Sequence, residues 1–241
     1  MFNRRWPVIS GIAFSVVMLA PIRAQAHERD FTLMRDWHLP YQYEREIEYR
    51  MTHRDAGDFT AHEVEFEYGI NPHFAIEPGI EFVKEEGGDL HVDGYDMEFR
   101  FNFGEFKTNR MLPALNVEYE HPAASAEDDH AELKIIGSMF DDYGNDFSVN
   151  LNIGWALEGR KEQESEIALG YMHPSRPGMG HRAEGWKYGA EFQEDLVDHH
   201  AILGPTVGYR ANEHFHLIGT FAFGLNDSDD DTLKLIAEWE F

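Results

Sequence analysis

Fourteen histidines and forty-five carboxylates make metal binding and acid–base catalysis the first chemistries to test on this chain. His214 and His216 stand two apart, a spacing that on one strand face permits chelation. His199 and His200 are adjacent, so on a strand they face opposite ways. In the strand order derived below the two pairs fall at opposite rims, and neither has a third ligand in register. Interfacial or interior histidines therefore account for them better than a metal site does. Asp227, Asp229, Asp230 and Asp231 carry the charge of a cation loop but lack the Gly and the distal Glu of an EF-hand, so a solvated loop is expected. Asp128, Asp129, His130, Asp195, His199 and His200 could be assembled into an acid–base group at one rim. A general base must lie within hydrogen-bond reach of its proton, and nothing in the spacing supplies that reach. No phosphate loop, nucleophile elbow or Ser–His pair in register on an apolar face is present. The expectation is no catalytic residue, no metal and no cofactor.

What does recur is glutamate at every second position, opposite a stripe of aromatic and aliphatic residues. Strict alternation is the period of a strand with two unlike faces. Tyr43, Ile47, Tyr49 and Met51 alternate with Glu44, Glu46, Glu48 and Arg50. Val64, Phe66 and Tyr68 alternate with Glu63, Glu65 and Glu67; Ile76, Ile80 and Phe82 lie across from Glu77 and Glu81. Met97, Phe99 and Phe101 oppose Asp96, Glu98 and Arg100, and Val117 and Tyr119 oppose Glu118 and Glu120. The pattern continues through Leu133 and Ile135 over Glu132 and Lys134, and through the stretches 147–158, 166–171, 186–192 (with Lys187 and Glu191), 203–210 (with Arg210) and 214–223. It closes with Leu233, Leu235, Ala237, Trp239 and Phe241 over Lys234, Ile236, Glu238 and Glu240. Twelve strands are predicted.

Tight turns at Asn71-Pro72, Tyr143-Gly144-Asn145 and Ala211-Asn212 mostly alternate with acidic loops at 53–58, 84–89, 122–129, 158–165 and 226–231. An up-and-down antiparallel barrel has that arrangement, with short turns at one rim and longer loops at the other. The segment 173–185 is long where a tight turn is expected, which leaves either a long turn or one hairpin too few in the count. A soluble sandwich or barrel would also alternate, but it would fill its interior with small or branched residues. Here the apolar face is bulky, and Tyr, Phe and Trp gather toward strand ends, as interfacial girdles require.

A net charge of -25 argues against a nucleic-acid partner, because phosphate binding needs a basic face. The chain has no Cys, which removes any disulfide clue to its compartment. A mean hydropathy of -0.50 argues against helical membrane spans but not against strands. The first 26 residues hold Arg4, Arg5 and Arg23 and no acid. Arg4 and Arg5, the apolar run from Val8 to Ala20, and Ala24-Gln25-Ala26 make a cleavable export signal. The apolar run is short for a membrane anchor and ends at Pro21. Residues 1–26 are thus expected to be a signal peptide, 27–40 a segment without period in the periplasm or the lumen, and 41–241 the barrel.

The final strand, Leu233 to Phe241, ends on Phe after apolar residues at alternate positions, and Leu233, Leu235, Trp239 and Phe241 resemble the C-terminal signal read by the barrel-assembly machinery of Gram-negative bacteria. The strand set over residues 41–241 resembles porin-like outer-membrane proteins, and EFEYGINPHFAIEPG (65–79) is similar to a hairpin seen in such barrels. The resemblance implies a transmembrane up-and-down barrel in the cell outer membrane. Its implied partners are outer-membrane lipids, the assembly and periplasmic chaperone machinery, and small solutes.

On that reading the glutamate face lines the lumen. Twelve strands lie between the eight-stranded barrels that side chains fill and the sixteen-stranded ones that hold a channel. A dry interior cannot hold so many uncompensated carboxylates, so water or counter-cations must be inside. Such a lumen attracts cations. Passive passage of small polar solutes is the expected function. The alternatives are a non-conducting structural or adhesive barrel and, last, a surface hydrolase.

Overall fold

A computed structural model describes residues 29–55, 59–124, 128–157, 163–175, 184–226 and 230–241. The expected signal peptide, Glu158, Asp227 and Asp229 lie outside the described residues. The described residues form twelve strands: β1 (Arg45–Arg54), β2 (Phe59–Asn71), β3 (Phe74–Lys84), β4 (His91–Asn102), β5 (Met111–Pro122), β6 (His130–Phe140), β7 (Asp146–Ala156), β8 (Gln163–Pro174), β9 (Gly185–Asp195), β10 (Ala201–Asn212), β11 (Phe215–Gly224) and β12 (Thr232–Glu240). Each pairs antiparallel with its chain neighbours, and β12 pairs with β1 to close the barrel. Closure leaves no open edge strand. At the seam Glu48 lies opposite Glu238 and Ile47 opposite Trp239, so the two-faced pattern runs on across it.

The strand count agrees with the alternation, including at residues 173–185. There β8 ends at Pro174, β9 begins at Gly185, and the two strands pair directly with each other. The start of β1 and the end of β12 share one rim, called here the near rim. Its tight turns are built by side chains. The Asp141 carboxylate accepts the amides of Tyr143 and Asn145 at 2.8 and 2.9 Å, while Gly144 supplies a φ of 88°. Burial disfavours the charge of Asp141, but the hydrogen bonds from Asn145, Tyr143 and Gly144 outweigh it and hold this carboxyl below its usual range.

The two faces separate as the pattern requires. Ser148 and Glu191 are wholly buried inside, whereas Leu151 at mid-strand and Leu203 and Leu217 nearer the rims remain 37%, 43% and 42% exposed on the outside. A water-soluble barrel would hide these leucines. Exposed aromatics sit at both ends of the apolar band: Phe103, Trp186 and Trp239 toward the near rim, and Tyr95, Tyr119, Trp155 and Phe223 toward the far rim. Among the described residues no helix is long and apolar enough to cross a membrane. Leu151→Arg tests the outer face. It should cost about 2–4 kcal/mol in urea unfolding from lipid vesicles, as a cation at a bilayer midplane does. A change within about 0.5 kcal/mol would mean that this face meets water.

Candidate functional site

The inner face converges on residues 29–40, which are buried throughout and lie inside the barrel. This segment has no strand or helix of its own, so its buried backbone groups need side-chain partners. Glu191 on β9 serves the first part. Its carboxylate accepts the Thr32 and Leu33 amides at 3.0 and 2.6 Å, and the hydroxyls of Thr206 and Thr220 at 2.8 and 2.7 Å. Ser138 accepts the Trp37 amide at 3.0 Å, and Arg100 donates to the His38 carbonyl at 2.8 Å. Where the chain leaves the lumen, the Tyr43 amide donates to the Gly69 carbonyl at 2.6 Å. A side chain at Gly69 would strike the Tyr41 backbone, so this close approach requires glycine.

Two apolar contacts seat the segment. Phe31 and Met34 pack on Ala168, Met172, Ile218 and Ile236, and Trp37 packs among Leu112, Ala114, Ile136 and Phe140. The periodic reading missed this seat, although its signal is present. Leu112, Ile136, Phe140, Met172, Ile218 and Ile236 are large apolar residues buried on the inward side, and such residues need an apolar partner inside the lumen.

Charge is settled around four arginines, Arg29 and Arg35 of the segment and Arg50 and Arg100 of the wall. Arg35 Nη2 lies 2.7 Å from Glu98, 3.0 Å from Glu77 and 3.6 Å from Glu65, and its Nη1 is 3.9 Å from Glu48. Four strands, β1 to β4, each contribute one carboxylate to this cage. Arg29 donates to Glu48 at 2.6 Å. Arg50 adds ion pairs to Glu48 and Glu65, and reaches Glu63 at 3.0 Å and Glu77 at 3.4 Å. Arg100 pairs with Glu67, while Lys134 pairs with Glu118 and lies 3.1 Å from Glu132. The counter-cations required by the carboxylate-rich interior are thus partly the chain's own. Between the segment and the far rim lies a cavity of about 240 Å³, whose lining includes Glu63, Glu81, Glu132, Glu166, Lys134 and Lys234.

Of the remaining inward residues, Glu46 and Glu238 lie beside the cage, each with an oxygen within 4.8 Å of Glu48. Glu46 is buried near Glu238, which accepts from His216 at 3.1 Å. Arg210 lies 3.6 Å from Glu240. Glu120 differs from its neighbours: it is exposed at the far rim, with its carboxylate 3.8 Å from His130. Leu233 and Leu235 are half-buried, whereas Trp239 and Phe241 are exposed on the outside. His214 is exposed in a turn and His216 is buried, so these two do not share a ligand position. The rim acids and histidines are also dispersed. Asp129 accepts from Tyr119 and faces His121, whereas Asp195 accepts the Val197 and Asp198 amides in the β9–β10 loop.

No family model and no curated relative matches the chain. Solved structures do resemble it. A KdgM porin in complex with disordered oligogalacturonate aligns over 81% of this chain and 99% of its own, with 7% identity and a TM-score of 0.63. An outer membrane channel from Pseudomonas putida F1 aligns over 84% and 97%, with 11% identity and a TM-score of 0.61. The NanC porin aligns over 81% and 98%, with 8% identity and a TM-score of 0.52. The fold is that of porin-like outer-membrane barrels.

Proposed function

We propose that this protein is an outer-membrane channel for small polar solutes, closed at rest by its own residues 29–40 and cation-preferring when open. The observation that carries the reading is the cage of Glu48, Glu65, Glu77 and Glu98, gathered by four strands around Arg35 of the closing segment beside Arg50 of the wall. Withdrawal of Arg35 leaves these carboxylates with the wall cations Arg50, Arg100 and Lys134, fewer positive than negative charges, and an excess of carboxylates facing water raises local cation concentration. The likeness to porins and a channel supports passage as the role of the fold. An apolar outer band flanked by aromatics supports residence in the outer membrane, with lipids as the surrounding partner. The export signal of residues 1–26 and assembly through the pattern Leu233, Leu235, Trp239 and Phe241 belong to the same reading.

Glu65→Gln together with Glu98→Gln tests the selectivity. In planar bilayers under a salt gradient, the reversal potential of a barrel lacking residues 29–39 should move toward zero when both charges are removed. Equal reversal potentials with and without them would refute cation preference. The continuous packing of the segment favours one other reading, a non-conducting structural barrel. Absence of single-channel steps from folded barrel lacking the segment would decide for it.

A further inference from the structure

Three carboxylates meet where the inner segment touches β7. Asp30 and Asp36 come from the segment and Asp146 from the first residue of the strand, and each offers an oxygen within 4.8 Å of the other two. That span is what one ion can bridge, since two oxygens each about 2.4 Å from a calcium ion lie at most about 4.8 Å apart. Crowded acids alone would carry no weight. Asp30 pairs with Lys187 at 2.5 Å, and Asp36 accepts the amides of Asp30 and His38 at 3.3 and 2.8 Å. Asp146 is different. It is wholly buried; its Oδ1 accepts only a 3.2 Å hydrogen bond from Ser148, and its Oδ2 has no hydrogen-bond partner.

A buried carboxylate pressed against two others is unfavourable by several kcal/mol unless a proton or a cation neutralises it. We propose that Asp30, Asp36 and Asp146 bind a hard divalent cation such as calcium, which fastens the inner segment to the barrel wall. Carboxylate oxygens are the ligands such ions take. Neutral oxygens stand close by: Ser148 is hydrogen-bonded to Ser138 at 2.6 Å, and Ser138 in turn holds the Trp37 amide. Two ligands come from the segment and one from the wall, so the ion joins parts of the chain more than 100 residues apart. Binding itself does not depend on conduction; only its consequence for opening rests on the channel reading.

The test uses folded full-length mature protein stripped with chelator, with calcium as the probe in isothermal titration. Asp146→Asn keeps the side-chain size and the contact to Ser148, and retained heat-modifiable mobility shows that it folds. Wild type should bind one calcium more per barrel than Asp146→Asn, above the weak binding of surface acids shared by both. Terbium luminescence sensitised through Trp37, next in sequence to Asp36, should fall at least tenfold in the same variant. Identical calcium stoichiometry and terbium signal in the two proteins would overturn the proposal. So would a carboxyl protonated at neutral pH that calcium does not displace, since the neutralising species would then be a proton. Neither outcome bears on conductance of the barrel lacking residues 29–39, which contains only one of the three ligands.

Discussion

Deleting residues 29–39 should turn a closed barrel into one with sustained single-channel conductance, at least about tenfold above that of the intact protein in planar bilayers. The size of the effect follows from geometry. Twelve strands at a spacing of about 4.8 Å, tilted about 40°, give a backbone radius of about 12 Å. Inward side chains then leave an opening on the order of 10 Å, wide enough for hydrated ions. The segment fills that opening at the level of Phe31, Arg35 and Trp37, where its side chains are buried against the wall. Gly170→Leu tests the same point without a deletion. A Cβ at Gly170 would collide with the Phe31 ring and the Met34 sulfur, so a larger side chain should unseat the segment and raise conductance in the same direction. Unchanged conductance in both variants would show that residues 29–40 do not close the lumen.

Arg35→Gln should shift the closed–open balance toward open by roughly one to two orders of magnitude, below the about 3–5 kcal/mol of a wholly uncompensated buried charge because Arg50 and Lys134 still face these carboxylates. Arg35 is 3% exposed, and the four carboxylates facing it are 1% exposed or less, so solvent does little to screen the loss. Open probability in bilayers measures the shift. Adding Glu98→Gln removes the nearest stranded charge, 2.7 Å away, and should restore part of the closed population. If the single variant stays as closed as wild type, the guanidinium is not what holds the segment. If the double variant opens further, the cage does not act through charge.

The fold was legible along the chain because it rests on a short-range rule. With a period of two, a slip of one residue turns every side chain of a strand to the wrong face. Once Glu46, Glu48 and Arg50 alternate with Ile47, Tyr49 and Met51, the faces of β1 are decided, and each neighbouring strand repeats the constraint. Strand number, antiparallel order and the bulky outer stripe all follow from such local spacings. Which carboxylates share a cation was not readable from spacing, because Glu48, Glu65, Glu77 and Glu98 stand on four different strands.

The occupied lumen could not be read that way. Residues 29–40 have no period, and their partners are distant: Thr32 meets Glu191 across 159 positions and Arg35 meets Glu98 across 63. Ile136, Met172, Ile218 and Ile236 lie on four different strands, and only barrel closure turns them toward one interior. A two-faced closed sheet follows from local spacing, because strand geometry acts between adjacent residues. Tertiary structure alone decided what sits inside it, because burying Phe31, Met34 and Trp37 and neutralising the cage around Arg35 depend on groups that come together only when β12 meets β1.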